Sequence, residues 1–174
     1  ADDSFAIVLL MVTAKMNAII TIRMSKSTPP MALSEPISSV AKLIAGFETF
    51  RAKSYKCPAG RWTIGYGHTQ DVGPGMSVTK MEAEGLLLLD LKPTEEIVNR
   101  ECPHVNQNQF DALVSFTFNL GERNLLKSTL LKCVKANPNN LNIRTELLRW
   151  NRANGEVLAG LTRRRRAEAD LYFS

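Results

Sequence analysis

Hydrophobic and polar positions follow a helical period from Ile37 onward. Apolar residues recur there every three or four positions, which predicts a helix over residues 37–50 with Glu48 near its end. The residues on its apolar face are Ile37, Val40, Ile44 and Phe47.

The pattern changes to short strand-like segments after this helix. Residues 52–65 predict two short strands joined by a turn at Pro58-Ala59-Gly60, because proline and glycine are typical of turns. A third short strand is predicted near residues 72–78. Together these segments predict a small antiparallel sheet.

Helical periodicity then dominates the rest of the chain. Thr79 and Glu82 form a capping box that begins a long helix, and Pro93 is expected to kink or divide it. Asn106 is placed to cap another helix that ends at Gly121. Further helices are predicted at about residues 128–136, 141–152 and 161–172. The predicted fold class is therefore α+β, with a small antiparallel sheet lobe, a mainly helical lobe and a cleft between them that suits an active site.

The segment that precedes this domain contains the most apolar run of the chain, residues 5–22. The run is slightly shorter than the roughly 20 residues of a membrane span, and it contains Lys15. Three interpretations stay open: a weak signal-anchor, an accessory helix that lies on the domain, or an extension that is not native.

A linker is predicted between the apolar run and the domain. Residues 27–36 contain three prolines, which block helix formation. We therefore divide the chain into an N-terminal segment with its linker, residues 1–36, and a folded domain, residues 37–174.

Composition and charge narrow the class of protein only slightly. Of the 174 residues, 44% are hydrophobic and 22% are charged, as in ordinary globular domains. The net charge of +5 favours an anionic partner, such as nucleic acid, a membrane surface or an acidic wall polymer. The three cysteines (Cys57, Cys102 and Cys133) are too few for a disulfide scaffold and lack metal-ligand spacing. We expect no metal and no cofactor.

Glu48 is the first candidate catalytic residue. The dipole at the C-terminal end of a helix disfavours a negative charge there, and the preceding residues are apolar or small. Both effects favour the protonated carboxyl group, which is the form that a general acid needs. Eight residues separate Glu48 from Cys57, and five more separate Cys57 from Thr63. On a hairpin packed beside the helix end, both side chains would face one cleft with Glu48.

This spacing of glutamate, cysteine and threonine, followed by Ile64-Gly65-Tyr66-Gly67-His68, resembles the catalytic signature of the bacteriophage lysozymes, or endolysins. That family places a glutamate, then an aspartate or cysteine, then a threonine at these intervals. The resemblance covers roughly residues 37–173 and continues through four further motifs: residues 106–113, 118–121, 128–131 and the arginine-rich stretch that follows Arg149-Trp150.

The resemblance implies a lysozyme-like fold and hydrolysis of the β-1,4 bond between N-acetylmuramic acid and N-acetylglucosamine in peptidoglycan. Glu48 would protonate the leaving oxygen, while Cys57 and Thr63 would hold or activate a water on the far face of the sugar. Cys57 departs from the carboxylate pair of most glycosidases. Its thiolate would serve better than its thiol, yet a nearby Glu48 carboxylate is expected to raise the pKa of the thiol.

The resemblance also implies substrate-binding and supporting residues. Thr69, Phe118, Asn119 and Thr129 match positions that line the sugar cleft of the family. His68 is a fifth candidate, although a structural histidine that braces the hairpin is the favoured interpretation. Arg164 is chosen as the arginine that pairs with the catalytic glutamate. The other arginines of the run at 163–166 are expected to form a solvated face that attracts an anionic wall or membrane.

Two other functions stay open on the sequence alone. A lytic transglycosylase also uses a single glutamate, and a basic protein with an apolar terminus can disrupt membranes. The expected partners are peptidoglycan strands and an anionic outer-membrane or cell-wall surface, with no nucleic acid and with a monomeric state. We expect the protein to be made in the bacterial cytoplasm and to act at the cell wall. A weak N-terminal membrane anchor is one way in which it could reach the wall.

Overall fold

The computed structural model describes residues 38–174 of the chain. The interpretations of residues 1–36, as anchor, accessory helix, extension or linker, lie outside the described residues. Within the described residues, none of the helices combines the length and the apolar character that crossing a membrane requires.

The first helix, α1, is shorter than predicted and spans Ser39–Ala45. The Ser38 side chain caps it by accepting from the Ala41 N–H at 3.3 Å. The predicted end at residue 50 is wrong, because the chain leaves the helix at Gly46, and glycine is a poor helix former and a common helix terminator. Glu48 is therefore carried by the turn that follows α1.

A two-stranded antiparallel hairpin follows, with β1 at Arg51–Lys56 and β2 at Trp62–Gly65. Its turn closes through a 2.8 Å hydrogen bond from the Gly60 N–H to the Cys57 carbonyl. Gly60 has a φ of +76°, which glycine adopts without strain. The two predicted strands and their turn are confirmed.

The predicted third strand at residues 72–78 is wrong. This segment approaches β1 through one isolated bridge between Lys53 and Ser77. A continuous ladder does not form, because Gly73-Pro74-Gly75 interrupts the extended backbone and proline cannot donate to a ladder.

The long helix α2 spans Lys80–Glu101 and begins with the predicted capping box of Thr79 and Glu82. Pro93 lies inside the helix without dividing it, so the predicted division is wrong. Proline removes the hydrogen bond to the carbonyl four residues earlier, here that of Leu89. Pro93 and Leu89 are both exposed, so the freed carbonyl is open to solvation and the helix can continue.

The remaining described elements form the helical lobe. The central helix α3 spans Gln107–Leu120 and begins with a second capping box, made by Asn106 and Gln109. The others are α4 (Glu122–Lys127), α5 (Thr129–Ala136), α6 (Asn142–Leu148), the short hairpin of β3 (Arg152–Ala153) and β4 (Glu156–Val157), and α7 (Ala159–Tyr172). Helix α4 and the second hairpin were not predicted, and the hairpin takes the place of the end of the helix predicted at 141–152.

The core of the molecule lies around α3. Residues Asp111–Thr117 of this helix are all buried, and α7, α2 and α1 pack against it. The architecture is α+β, as predicted. It brings the turn after α1 close to α7, and this is where the candidate site lies.

Candidate active site

A cleft of about 580 Å³ opens beside Glu48. The Glu48 N–H donates to the Ile44 carbonyl at 3.0 Å, which fixes the turn that carries the side chain. The side chain is 32% exposed, so a ligand in the cleft can reach it. The other side chains that line the cleft include Phe47, Asn119, Leu158, Leu161, Arg163 and Arg164.

Arg164 forms an ion pair with Glu48, with 2.8 Å between Nη1 and Oε1. Arg164 is nearly buried, with 4% of its side chain exposed, and its guanidinium lies over the Phe47 ring at 5.5 Å from the centroid. Its Nη2 also donates to the Ser115 carbonyl at 3.4 Å. A buried guanidinium with several partners holds one orientation, so one oxygen of the Glu48 carboxyl group is fixed in position.

Cys57 and Thr63 lie together at the end of the first hairpin. Cys57 follows β1 directly and is half-buried, and Thr63 on β2 is 4% exposed. Hydrogen bonding from the Arg61 backbone lowers the pKa of the Cys57 thiol; the Ala59 backbone and the Thr63 side chain act in the same direction, and partial burial opposes them. The expected rise of this pKa is therefore wrong, because Glu48 is not among the groups that shift it.

The described residues that wall the cleft beside Glu48 do not include Cys57 or Thr63. The structure thus arranges the sequence-predicted residues in two groups. Glu48 lies with Arg164 and Asn119, and Cys57 lies with Thr63 on the hairpin.

His68 ties the hairpin to the long helix α2. Its Nδ1 lies 2.9 and 3.0 Å from the two carboxylate oxygens of Asp90. This hydrogen bond raises the pKa of His68 above its ordinary value, and burial opposes the shift. The geometry supports a bracing role for His68, and a direct contact with substrate stays a prediction.

The other predicted substrate-binding residues differ in their surroundings. Asn119 presents a buried Oδ1 without a hydrogen-bond partner at the wall of the cleft. Phe118 is half-buried and packs against the hydrophobic core. Thr69 and Thr129 are exposed, and Ser128 rather than Thr129 caps α5, by accepting from the Leu131 N–H at 3.0 Å. Asn119 is therefore the member of this set that lines the cleft and has an unpaired buried acceptor.

Sequence comparison decides the family. The phage lysozyme family model matches residues 45–168. The chain belongs to the phage lysozyme family. It is a glycoside hydrolase of the muramidase type and a peptidoglycan-hydrolysing endolysin, as the sequence motifs predicted.

Individual relatives agree with this assignment. The endolysin of Acyrthosiphon pisum secondary endosymbiont phage 1 is 39% identical over 138 residues, which are 76% of this chain and 93% of the relative. The endolysin of Bacillus phage B103 is 40% identical over 76% of this chain, which spans only 51% of that relative. The SAR-endolysin of Bacteriophage PS119 is 36% identical over 72% of this chain and 76% of its own length.

The fold agrees with a solved member as well. The muramidase domain of SpmX from Asticaccaulis excentricus superimposes with a TM-score of 0.72 at 38% identity. The match covers 80% of this chain and 99% of that domain. The lysozyme-like fold predicted from the sequence is confirmed.

The sequence reasoning missed a cluster of buried charges behind Arg164. Arg165 and Glu168 are both 0% exposed, so the expectation of a solvated arginine face is wrong at Arg165, while Arg163 and Arg166 are exposed. A signal was available, because Glu168 follows Arg165 by three positions and Arg164 by four, and such residues are neighbours on a helix.

The three cysteines are free thiols. Burial raises the pKa of Cys102 to about 11, so this thiol is unreactive at neutral pH. Within residues 38–174, no cluster of three histidine, cysteine or acidic side chains is arranged to hold a metal ion.

Proposed function

We propose that Glu48 is the general acid with which this endolysin cleaves the β-1,4 bond between N-acetylmuramic acid and N-acetylglucosamine. The observation that supports this most directly is the 2.8 Å ion pair between Glu48 and Arg164 at the wall of the 580 Å³ cleft. Arg164 contacts Oε1, which leaves Oε2 to carry the proton and to face the glycosidic oxygen. A fixed carboxyl group in an open cleft is the arrangement that general acid catalysis requires.

Cys57 and Thr63 are proposed to handle the water that completes the reaction. As Glu48 delivers its proton to the leaving oxygen and the glycosidic bond breaks, the water attacks the sugar and its proton passes to the Cys57 thiolate. The lowered pKa of Cys57 supports this role, because it enriches the thiolate that accepts a hydrogen bond from water. Two-carboxylate glycosidases use the second carboxylate at this step.

Asn119 is proposed to bind the sugar that lies in the cleft. Its unpartnered Oδ1 is an acceptor, and an acetamido N–H or a sugar hydroxyl is a donor that matches it. Thr69, Phe118 and Thr129 stay predictions as cleft residues, as does contact of His68 with substrate.

The test of the central proposal replaces Glu48 by glutamine and Glu96 by glutamine as a matched control. Glu96 is an exposed residue of α2, outside the cleft. We expect Glu48→Gln to abolish turbidity loss of a purified peptidoglycan suspension, with an unchanged far-UV circular dichroism spectrum, and Glu96→Gln to behave as the parent enzyme. Retained activity of folded Glu48→Gln would refute the assignment.

Mass spectrometry of the released fragments tests the hydrolytic outcome. A hydrolase adds water and leaves a reducing sugar, whereas a lytic transglycosylase leaves an anhydro-sugar that is lighter by one water. Anhydro products from the parent enzyme would contradict the role of water proposed for Cys57 and Thr63.

We also propose that residues 5–22 act as a signal-anchor from which the enzyme is released toward the cell wall. The proposal draws on the SAR-endolysin relatives and on the apolar run at residues 5–22, although the positive charges of Arg23 and Lys26 after the run by themselves favour a cytoplasmic domain. Fractionation of cells that express the full chain should find it first in the membrane and later in the periplasm. A chain found in the cytoplasm throughout would contradict this route, while the expected monomeric state and lack of nucleic-acid binding stay separate predictions.

A further inference from the structure

The last helix, α7, carries a cluster of buried charges behind the cleft. Arg165 and Glu168 are 0% exposed and Arg164 is 3% exposed. Glu168 Oε1 accepts three hydrogen bonds: from Ser115 Oγ at 2.7 Å, Arg165 Nη2 at 2.7 Å and Arg164 Nε at 3.3 Å. This carboxylate oxygen is therefore held in one position by two helices.

This cluster of buried charges contributes little to the stability of the fold. Arg165 Nη1 is buried without a hydrogen-bond partner, and Arg165 Nε lies 2.7 Å from Glu168 Oε2 as an ion pair that lacks hydrogen-bond geometry. Burial raises the pKa of Glu168 and lowers the pKa of Arg165, so folding costs free energy for both charged forms. Apolar residues of similar volume often replace such buried ions without loss of stability.

The geometry connects this cluster to the candidate general acid. The Arg164 guanidinium donates from Nη1 to Glu48 and from Nε to Glu168, so a single planar group lies between the two carboxylates. We propose that Glu168 is a positioning residue of this lysozyme, which fixes Arg164 against Glu48 and balances the charge behind the cleft. The proposal rests on the role of Glu48 proposed above.

Charge balance gives the proposal a measurable consequence. Two arginines, Arg164 and Arg165, face two carboxylates, those of Glu168 and Glu48. When Glu48 is protonated, the two arginines and Glu168 together carry one excess positive charge. Without Glu168 the excess is two positive charges, so the protonated form of Glu48 becomes less favourable. Arg163 is the other charged residue among the described ones that line the cleft, and it adds to the same effect.

The experiment replaces Glu168 by glutamine, which keeps the size of the side chain and removes its charge. Asp170→Asn is the matched control, because it makes the same change of charge on the exposed side of the same helix. Both variants are compared with the parent through the pH dependence of kcat and KM on soluble glycan strands. The Glu48 and Glu168 carboxylates contact the same buried guanidinium, and a charge removed at that range changes a proton equilibrium by roughly one pH unit.

We expect Glu168→Gln to move the alkaline limb of the kcat profile down by roughly one pH unit, with about a tenfold loss of kcat at neutral pH and little change in KM. Asp170→Asn should give the parent profile. A folded Glu168→Gln enzyme whose profile superimposes on that of the parent would overturn the proposal.

A second variant decides the case if Glu168→Gln does not fold. The double variant R165M/E168L removes both buried ions and keeps the net charge behind the cleft, so its thermal stability should match or exceed that of the parent. Because Arg164 then loses its second carboxylate, kcat should fall about tenfold or more without a shift of the profile. Full kcat in this variant would overturn the proposal, whereas an active Glu48→Gln enzyme would refute the proposed function instead.

Discussion

Replacing Asp90 by asparagine tests the contact that holds the first hairpin against α2. His68 Nδ1 lies 2.9 Å from Asp90 Oδ1, and the two side chains are 13% and 30% exposed. A hydrogen bond to a charged partner contributes about 1.5–3 kcal/mol, and the partial exposure of Asp90 reduces this to about 1–2 kcal/mol. Asparagine keeps an acceptor at this position and removes the charge.

The sign of the pH dependence follows from the direction of the pKa shift. Asp90 raises the pKa of His68 above its ordinary value of 6.5 in the folded state. The stabilisation is therefore complete below pH 6.5 and is lost as the pH rises through the higher value that His68 has in the folded protein. Asp90→Asn should destabilise the protein at pH 5.5 by about 1–2 kcal/mol, and the difference should be smaller at an alkaline pH above the folded-state pKa of His68.

Thermal unfolding followed by circular dichroism at the two pH values measures this difference. A loss of 1–2 kcal/mol corresponds to a decrease in Tm of about 3–8 °C for a domain of this size. Glu122→Gln is the control, because it breaks an exposed ion pair of similar length, 3.0 Å to Arg100, and should change Tm by little at either pH. An equal decrease at both pH values for Asp90→Asn would refute the charge-based argument.

Two further predictions follow from the hairpin. Inactivation by iodoacetamide should show a pH midpoint below 9.0, the ordinary thiol value, because the pKa of Cys57 is lowered. The Cys133→Ser variant should be inactivated in the same way as the parent enzyme. A midpoint at or above 9.0 would contradict the argument. Gly65→Ala should destabilise the fold by about 3 kcal/mol, because Gly65 has a φ of +63° and an added Cβ would lie 2.9 Å from the Ala83 Cβ. Gly85→Ala, in open space on α2, should instead stabilise by about 0.5–1 kcal/mol in chemical denaturation, and equal effects of the two changes would refute this.

Local signals in the sequence predicted those parts of the fold that depend on local physics. The capping boxes at Thr79 and Asn106 place the starts of α2 and α3 correctly, because each box satisfies backbone groups within four residues of its own sequence. The turn at Gly60 was likewise predictable, because it depends on the backbone conformation of a few neighbouring residues. The predicted division of the helix at Pro93 is wrong, because the effect of this proline depends on whether the freed carbonyl faces water. Tertiary packing decides which side of a helix faces water.

The candidate site likewise combines features that local sequence predicts with features that depend on distant contacts. The family resemblance put forward Glu48, Cys57, Thr63 and Arg164 as site residues, and the structure shows Arg164 paired with Glu48, yet the helix end beside Glu48 was misplaced by several residues. The other features of the site depend on contacts between segments that are far apart in the sequence. The partner of His68 lies 22 residues away, and the bond from Ser115 to Glu168 spans 53 residues, so local pattern does not reveal either contact. The direction of the Cys57 pKa shift depended on turn amides that only the folded hairpin presents.

The ion pair between Glu48 and Arg164 joins residues that are 116 positions apart. A ribosome-bound chain that has not yet released α7 has Glu48, the hairpin and most of the helical lobe, but it lacks the arginine that pairs with Glu48. Docking of α7 is therefore the step at which a newly made chain completes the ion pair between Glu48 and Arg164. On the role proposed for Glu48, copies that end before α7 are therefore expected to lack lytic activity.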